Sequence, residues 1–289
     1  MGAFTQDLIL RLDRFFADSN DYFDALTRSP DEAFEYSIRS GRVVLDQFHG
    51  FNDLRGRTLL DYGCGGGGKT VHYARQGAAR VIGVDLHCDA PRARAFGARE
   101  GLSLEFYSLE PDGRIPLPAA SIDVILSSSV LEHVGNLPRA LAELRRVLRP
   151  GGLALHRWHP FATRRGAHLG ATLGLPFAHR LFPEADLVQA YYRSLIDKYG
   201  RVPDCVRPPV RAESAMGTSP RRIPTLDELD LPLNRVSIAA LHRHLRHSGH
   251  KILERRYLRG TRELPWASRI PPRWREWVCD YEVVICTPA

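Results

Sequence analysis

Residues 59–70 have the sequence LLDYGCGGGGKT, a short apolar run followed by five glycines and then by polar residues. The apolar run predicts a buried strand, and the residues after the glycines predict the start of a helix. Glycines between a strand and a helix let the backbone approach a ligand and leave N–H groups free to bind it. The stretch therefore predicts a ligand-binding turn at the carboxyl end of a strand.

Three ligand-binding templates fit this turn, and the turn alone leaves all three open. They are a dinucleotide-type G-x-G-x-x-G (Gly63, Gly65, Gly68), a P-loop G-x-x-x-x-G-K-S/T (Gly63, Gly68, Lys69, Thr70) and D-x-G-x-G-x-G (Asp61, Gly63, Gly65, Gly67).

The next predicted strand, residues 80–85, favours the third template because it ends in Asp85. A P-loop enzyme needs an acid at the end of a later strand to hold magnesium, whereas Asp85 follows the turn after one short helix. That spacing suits a carboxylate that accepts ribose hydroxyls. A nicotinamide enzyme would have little use for Asp61, but an acid there suits a cationic ligand with ammonium and sulfonium groups. Lys69 then becomes an ordinary residue in the first turn of a helix.

Strands and helices alternate from residue 58 onward, which predicts a parallel sheet with right-handed crossovers. The predicted strands are 58–61, 80–85, 102–107, 122–127 and 152–158, with helices at 69–76, 91–100 and 137–148. Helices are also predicted at 4–17, from Ser29 to about Phe48, and at 236–246, and further strands at 250–258 and 279–287.

Two later stretches, ASIDVILSSSVLEHV at 120–134 and LRRVLRPGG at 144–152, complete a set of four motifs. Together with the glycine turn and Asp85, they closely resemble the class I S-adenosylmethionine-dependent methyltransferases over about residues 58–158, and more weakly over 236–289. The resemblance implies a doubly wound α/β fold with a mostly parallel seven-stranded sheet and one antiparallel strand. N-terminal helices and a partly helical insertion after the fifth strand would complete it.

The resemblance also implies residues that bind S-adenosylmethionine and release S-adenosylhomocysteine. The turn Gly63–Gly67, with Gly65 at its centre and Asp61 before it, would hold the methionine end. Asp85 would bind the ribose with Leu86 beside it, and Ser127 and Ser128 would face the sulfonium through their backbone. The residues expected to flank the adenine or close over the cofactor are Ser108, Leu109 and Glu110, and Tyr36 and Arg39.

Three histidines are candidate catalytic residues. His156 and His159 end the predicted fifth strand, where ligands of open α/β sheets gather, and His133 would lie at the mouth of the site. Histidine suits deprotonation of a substrate hydroxyl because its pKa lies near neutral pH. A metal site is not expected, since the histidines at 242, 244, 247 and 250 do not share one helix face.

The sequence predicts four segments. Residues 1–57 would form helices over the cofactor site, 58–158 the methyltransferase core, and 236–289 the elements that complete it. Residues 159–235 contain nine prolines and scattered aromatics, and are predicted to form a lid over the acceptor. Its aromatic residues and arginines would meet that acceptor. They are Phe161, Phe177, Phe182, Tyr191 and Tyr192, and Arg164, Arg165, Arg193 and Arg211.

The distribution of charge limits the acceptors that this protein could use. Residues 1–150 hold 18 Lys and Arg against 20 Asp and Glu, and residues 151–289 hold 22 against 13. A small-molecule acceptor is the leading expectation; an RNA substrate that uses the basic second half and a catalytically inactive scaffold subunit are the alternatives. The pairs Arg255-Arg256 and Arg221-Arg222 are expected at the solvated surface.

The sequence contains five cysteines but no CxxC pair, and it has no apolar run of membrane-spanning length. Both features predict a cytoplasmic protein.

Overall fold

The computed structural model describes residues 2–16, 29–86, 88–166, 168–169, 172–202, 225 and 233–289. Much of the second half of the predicted insertion, including Arg211 and the pair Arg221-Arg222, lies outside these described residues. None of the described helices combines the length and the apolar character needed to cross a bilayer.

The described strands form one sheet with the order β3-β2-β1-β4-β5-β8-β6-β7. Their bounds are β1 Thr58–Tyr62, β2 Arg80–Asp85, β3 Leu104–Ser108, β4 Ile122–Ser128, β5 Leu148–Trp158, β6 His250–Arg259, β7 Arg262–Glu263 and β8 Tyr281–Pro288. Neighbouring strands among β1 to β5 pair in parallel, while β8 runs antiparallel to both β5 and β6. The predicted doubly wound, mostly parallel α/β fold is confirmed.

One strand was not predicted. The two-residue β7 pairs antiparallel with β6 through a turn at Gly260, whose φ of +59° is readily adopted by glycine. Two residues carry no hydrophobic alternation, so the sequence pattern gives no sign of this strand.

Helices cover both faces of the sheet. They are α1 Gly2–Asp13, α2 Pro30–Asp46, α3 Gly68–Ala74, α4 Pro91–Glu100, α5 Leu137–Val147, α6 Ala178–Leu181, α7 Glu184–Tyr199, α8 Ile238–His247 and α9 Pro272–Arg275. Leu60 of β1 packs in the cluster with α5 and α8, whereas Leu59 packs in the cluster with α2 and α3. Because successive strand residues point to opposite faces, β1 is buried on both sides and fixes the position of the glycine turn.

The described part of the insertion shares a second core with the N-terminal helix α1. Ile9 of α1 is fully buried among apolar residues of α7 and of the segment before α6. The backbone N–H of Leu175 donates to Asp13 Oδ1 at 2.8 Å, and Gln6 hydrogen-bonds Gln189. These contacts make the described insertion a helical subdomain built on α1.

Two arginines expected to meet an acceptor are already in ion pairs. Arg164 donates to both carboxylate oxygens of the buried Asp280, at 3.0 and 3.1 Å, and Arg193 lies 2.8 Å from Asp7. Tyr191, expected as a lid aromatic, is buried in the core shared with α1. Arg164 and Tyr191 are largely buried in contacts that hold the subdomain together, so the expectation that these two contact substrate is wrong. The Arg193 pair is exposed, so a substrate contact by Arg193 stays a prediction, as does a lid role for the whole segment.

The expectation that Arg255-Arg256 is solvated is wrong for the second residue. Arg256 is buried and donates to the backbone carbonyls of Gln47 and His49, each at 2.8 Å. The guanidinium thereby ties β6 to the residues that follow α2. Its neighbour Arg255 is exposed.

Candidate active site

The glycine turn bends sharply where β1 ends. Gly63, Gly65 and Gly67 have φ values of +77°, +52° and +79°, a region that residues with a Cβ enter at a cost. The backbone N–H groups of Gly63 and Cys64 donate to the carbonyl of Val84, at 2.7 and 3.2 Å. These bonds hold the turn against β2.

Two glycines of this turn leave an open surface that suits a ligand. A Cβ on Gly63 would collide with Val130, and one on Gly67 with Ala93 and Phe106. By contrast, a Cβ on Gly65 or Gly66 would meet no atom within 4 Å. Open space beside exposed backbone is what close approach of a cofactor requires, so the residues present fit the cofactor that the resemblance implies.

Asp85 joins the glycine turn to the end of β2. Its Oδ2 accepts from the Gly65 N–H at 2.8 Å, and its Oδ1 accepts from the Leu86 N–H at 2.7 Å. A carboxylate offers about four lone-pair positions, so each oxygen can still accept another hydrogen bond. The side chain of Leu86 is 63% exposed next to this carboxylate.

The end of β3 lies next to Asp85. The Leu109 N–H donates to the Asp85 carbonyl at 2.8 Å, and Ser108 Oγ accepts from the Cys88 N–H at 3.0 Å. Ser108 and Glu110 are exposed, and Leu109 packs against the main core. The structure thus brings the predicted ribose and adenine residues together at one edge of the sheet.

Asp61 is a buried acid at the end of β1. Thr70 Oγ1 donates to Asp61 Oδ2 at 2.6 Å. Burial raises the pKa of Asp61 to about 6, although the Thr70 bond and the charge of Lys69 act in the opposite direction. A cationic ligand at the turn would favour the ionised form of this carboxyl group.

Lys69 is more than an ordinary residue of the first helical turn. Burial lowers the pKa of its ammonium group, while the charges of Asp61 and Glu132 raise it. Lys69 therefore acts electrostatically on both acids at the carboxyl edge. The sequence pattern did not show this, because Glu132 is far from Lys69 along the chain.

The end of β4 supplies two serines in different surroundings. Ser127 Oγ lies 2.8 Å from His156 Nδ1, whereas the buried Ser128 Oγ has no hydrogen-bond partner in the described part of the chain. Ser129 follows with a φ of +58°, and its Oγ accepts from Arg157 at 3.2 Å. The chain turns sharply here toward Glu132 and His133.

His156 is placed differently from what a catalytic base requires. Its side chain is fully buried in β5, Nδ1 is engaged with Ser127, and burial lowers its pKa to about 3. A base must come within hydrogen-bond distance of the proton it removes, directly or through one water. The geometry therefore supports a structural role for His156 and corrects its assignment as a base candidate.

His159 and His133 lie together with two residues that the sequence analysis did not assign. The ring of His168, from the insertion, lies 4.9 Å from the rings of both His133 and His159. Its Nε2 is 3.8 Å from Glu132 Oε1, which also accepts from the His159 N–H at 3.4 Å. We call Glu132, His133, His159 and His168 the histidine cluster.

Burial dominates the electrostatics of the histidine cluster. It raises the pKa of Glu132 to about 8 and lowers the pKa of His168 to about 3. The pKa of His159 is lowered by burial first and then by the charges of His168 and Arg157. Arg157 is held at the edge of the cluster, 3.4 Å above the Tyr281 ring.

Tyr36 and Arg39 lie on α2, which packs against the helix that follows the glycine turn. Ser37 of α2 lies so close to Gly68 that a Cβ added to Gly68 would be 2.6 Å from the Ser37 side chain. Tyr36 is half-buried next to this contact, and Arg39 is exposed. The placement of α2 beside the turn agrees with the expected position of both residues, and their contact with a cofactor stays a prediction.

Comparison with known proteins agrees with this geometry. Residues 60–156 match a family described as a methyltransferase domain. A ubiquinone biosynthesis O-methyltransferase from Nitrosococcus oceani is 34% identical over 145 residues, which cover 48% of this chain and 58% of that protein. A malonyl-[acyl-carrier protein] O-methyltransferase from Serratia marcescens is 41% identical over 100 residues, which cover 35% of this chain and 37% of that protein. The matched stretches thus span less than two thirds of either relative.

A solved structure extends the likeness beyond the core. The S-adenosylmethionine-dependent methyltransferase from Mesorhizobium loti superposes with a TM-score of 0.50 at 18% identity, covering 84% of this chain and 95% of that one. At this identity the likeness concerns the fold. The match over residues 60–156, with the open glycine turn and Asp85, shows that this part of the chain is a methyltransferase domain of the class I S-adenosylmethionine-dependent type.

Proposed function

We propose that this chain transfers the methyl group of S-adenosylmethionine to a small-molecule acceptor. The observation that carries the proposal is the bond between Asp85 and the Gly65 N–H, which joins a ribose-binding acid to an open glycine turn. When bound, the cofactor supplies an electrophilic methyl group on a sulfonium. The relatives named above act, by their names, in ubiquinone biosynthesis and on malonyl-[acyl-carrier protein], which supports a small or carrier-bound acceptor here.

Each cofactor-binding residue then has a distinct task. The turn Gly63–Gly67 holds the methionine end, and the buried Asp61 balances its ammonium group. Asp85 and Leu86 bind the ribose, while Ser108, Leu109 and Glu110 flank the adenine. Ser127 and Ser128 direct backbone groups toward the sulfonium, and Tyr36 and Arg39 close over the cofactor from α2.

Positioning is the main task of the acceptor side, because methyl transfer is an in-line displacement. His159 and His133 lie after the carboxyl ends of β5 and β4, beside the expected sulfonium position. Either one can take the proton of a hydroxyl acceptor. The insertion delivers His168 to the same place and forms a wall of the acceptor site.

The contacts made by arginines of the basic second half favour a small-molecule acceptor over RNA. Arg164, Arg256 and Arg275 are engaged with protein groups and are largely buried, so they do not contribute to a phosphate-binding surface. Nucleic-acid binding depends on exposed cations that displace counterions from phosphates.

Methyl-labelled S-adenosylmethionine tests the proposal directly. The protein is incubated with the labelled cofactor and a cell extract, which is then separated into RNA, protein and small-molecule fractions. We expect label in the small-molecule fraction. Label in RNA would support the RNA alternative. Cofactor binding by calorimetry without transfer to any fraction would support an inactive scaffold subunit.

A further inference from the structure

The histidine cluster has a feature that neither the fold nor cofactor binding explains. Three of its buried polar atoms, Glu132 Oε2, His159 Nδ1 and His168 Nε2, have no hydrogen-bond partner among the described residues. Buried polar groups in folded proteins are almost always hydrogen-bonded, because an unpaired one destabilises the folded state. Several unpaired atoms within one cluster indicate a place where a ligand can bind.

Carboxylate oxygens and imidazole nitrogens are atom types that bind a divalent transition metal. Glu132 and His168, together with their neighbour His133, each offer one ligand atom, and these three atoms lie within 4.8 Å of one another. Imidazole and carboxylate together suit Zn²⁺, Fe²⁺, Mn²⁺ or Co²⁺ better than Mg²⁺ or Ca²⁺, which prefer oxygen ligands alone. Bonds of about 2.0–2.1 Å to nitrogen would draw the ligand atoms together by about an ångström.

The surroundings hold these ligands in place. His168 has a φ of +55°, an uncommon backbone conformation that directs its ring to Glu132. The His159 ring packs against the ring of Tyr281, with 3.6 Å between their centroids.

We infer that Glu132, His133 and His168 bind a divalent transition-metal ion beside the expected methyl-donor position, with His159 as a supporting contact. A metal-bound His133 cannot take a proton, so His159 keeps the role of base. Arg157 and Lys69 also act electrostatically on Glu132, so a loaded site carries surplus positive charge. It would therefore bind an acceptor through an oxygen atom that carries negative charge. This role of the metal rests on the proposed function, whereas metal binding itself does not.

Cobalt(II) is a suitable probe, because its visible absorption reports ligation by nitrogen and oxygen. The tag-free, full chain is stripped with a chelator and titrated with Co²⁺ in the absence of cofactor. We expect one ion per chain. Glu132→Gln keeps the size of the side chain, and His168→Asn places at φ +55° a residue that tolerates this conformation. Each variant should weaken Co²⁺ binding at least tenfold.

The control is His247→Asn, the same chemical change at an exposed histidine of α8, which should bind Co²⁺ as the unchanged protein does. Thermal unfolding checks that the variants fold. If only one of Glu132→Gln and His168→Asn folds, its Co²⁺ affinity alone decides the test. Absence of stoichiometric Co²⁺ binding, or equal binding in both cluster variants and the control, would overturn the metal site. Calorimetry with S-adenosylmethionine on the metal-free protein tests the proposed function separately, so the two failures are distinguishable.

Discussion

Asp85 carries the sharpest prediction at the scale of single residues. Asp85→Asn keeps the side-chain size but removes the negative charge and replaces one carboxylate oxygen by an NH₂ group. The two oxygens of Asp85 accept from Gly65 and Leu86, and would accept from the ribose as well. Hydrogen bonds to a charged group contribute roughly 1.5–3 kcal/mol, so we expect S-adenosylmethionine affinity to fall about tenfold or more. Isothermal titration calorimetry measures this change.

Asp53→Asn is a matched control for Asp85→Asn. Asp53 Oδ1 also accepts a backbone N–H, that of Arg55 at 3.2 Å, but in an exposed turn before β1. This variant should bind the cofactor normally. An Asp85→Asn protein with unchanged affinity would contradict the ribose assignment.

Residues next to the motifs could be predicted from the sequence, whereas residues brought in from a distance could not. Asp61 and Asp85 each end a strand, so their place at the carboxyl edge follows from the strand pattern. His168 reaches Glu132 through an insertion without regular periodicity. Arg256 resembles a surface residue in sequence, yet it is buried because two backbone carbonyls from another segment accept its hydrogen bonds.

At the scale of elements, a substitution in the glycine turn separates two effects, the backbone strain in the folded protein and the steric exclusion of the cofactor. Gly65→Ala places a Cβ at φ +52° in open space, so the folded protein should lose only about 1–2 kcal/mol from the left-handed conformation. The added methyl group should nevertheless occupy cofactor space and reduce affinity at least tenfold. Calorimetry and thermal unfolding measure the two effects.

Gly101→Ala is the control for strain alone. Gly101 ends α4 with a φ of +65°, and a Cβ there would also meet nothing within 4 Å. It precedes β3 and so lies at the opposite end of that strand from the site. Both variants should lose similar stability, but only Gly65→Ala should lose affinity. Normal cofactor binding by Gly65→Ala would show that the turn does not face the cofactor.

Element boundaries were predicted best where hydrophobic periodicity and capping agree. Helix α4 and strand β2 have the predicted bounds, and α2 begins after Ser29, whose Oγ accepts from the Glu32 N–H. Strand β5 begins at Leu148 rather than at Gly152, because Leu148 pairs with Ile122 across an irregularity in the ladder. Such pairing depends on a neighbouring strand and is not visible in the local sequence.

At the scale of the molecule, α1 and the insertion should behave as one unit. Ile9→Ala removes a fully buried side chain from their shared core, which should cost about 2–5 kcal/mol locally. Hydrogen exchange should therefore speed up in both α1 and α7, while β1 to β5 keep their protection. Phe4→Ala, at a 77% exposed position of the same helix, is the control and should change little. Faster exchange confined to α1 would show that the two segments are independent.

The position of β8 has a consequence for the order of events in folding. β8 lies between β5 and β6, and its residue Cys286 pairs with Ala154, from which it is separated by the entire insertion, α8 and β6. During synthesis, β5 leaves the ribosome long before its partner and keeps an unpaired edge in the meantime. Closing so long a loop slows the search for the native pairing. Completion of the sheet thus waits for the last strand, and until then a nascent chain depends on protection of that edge from other chains.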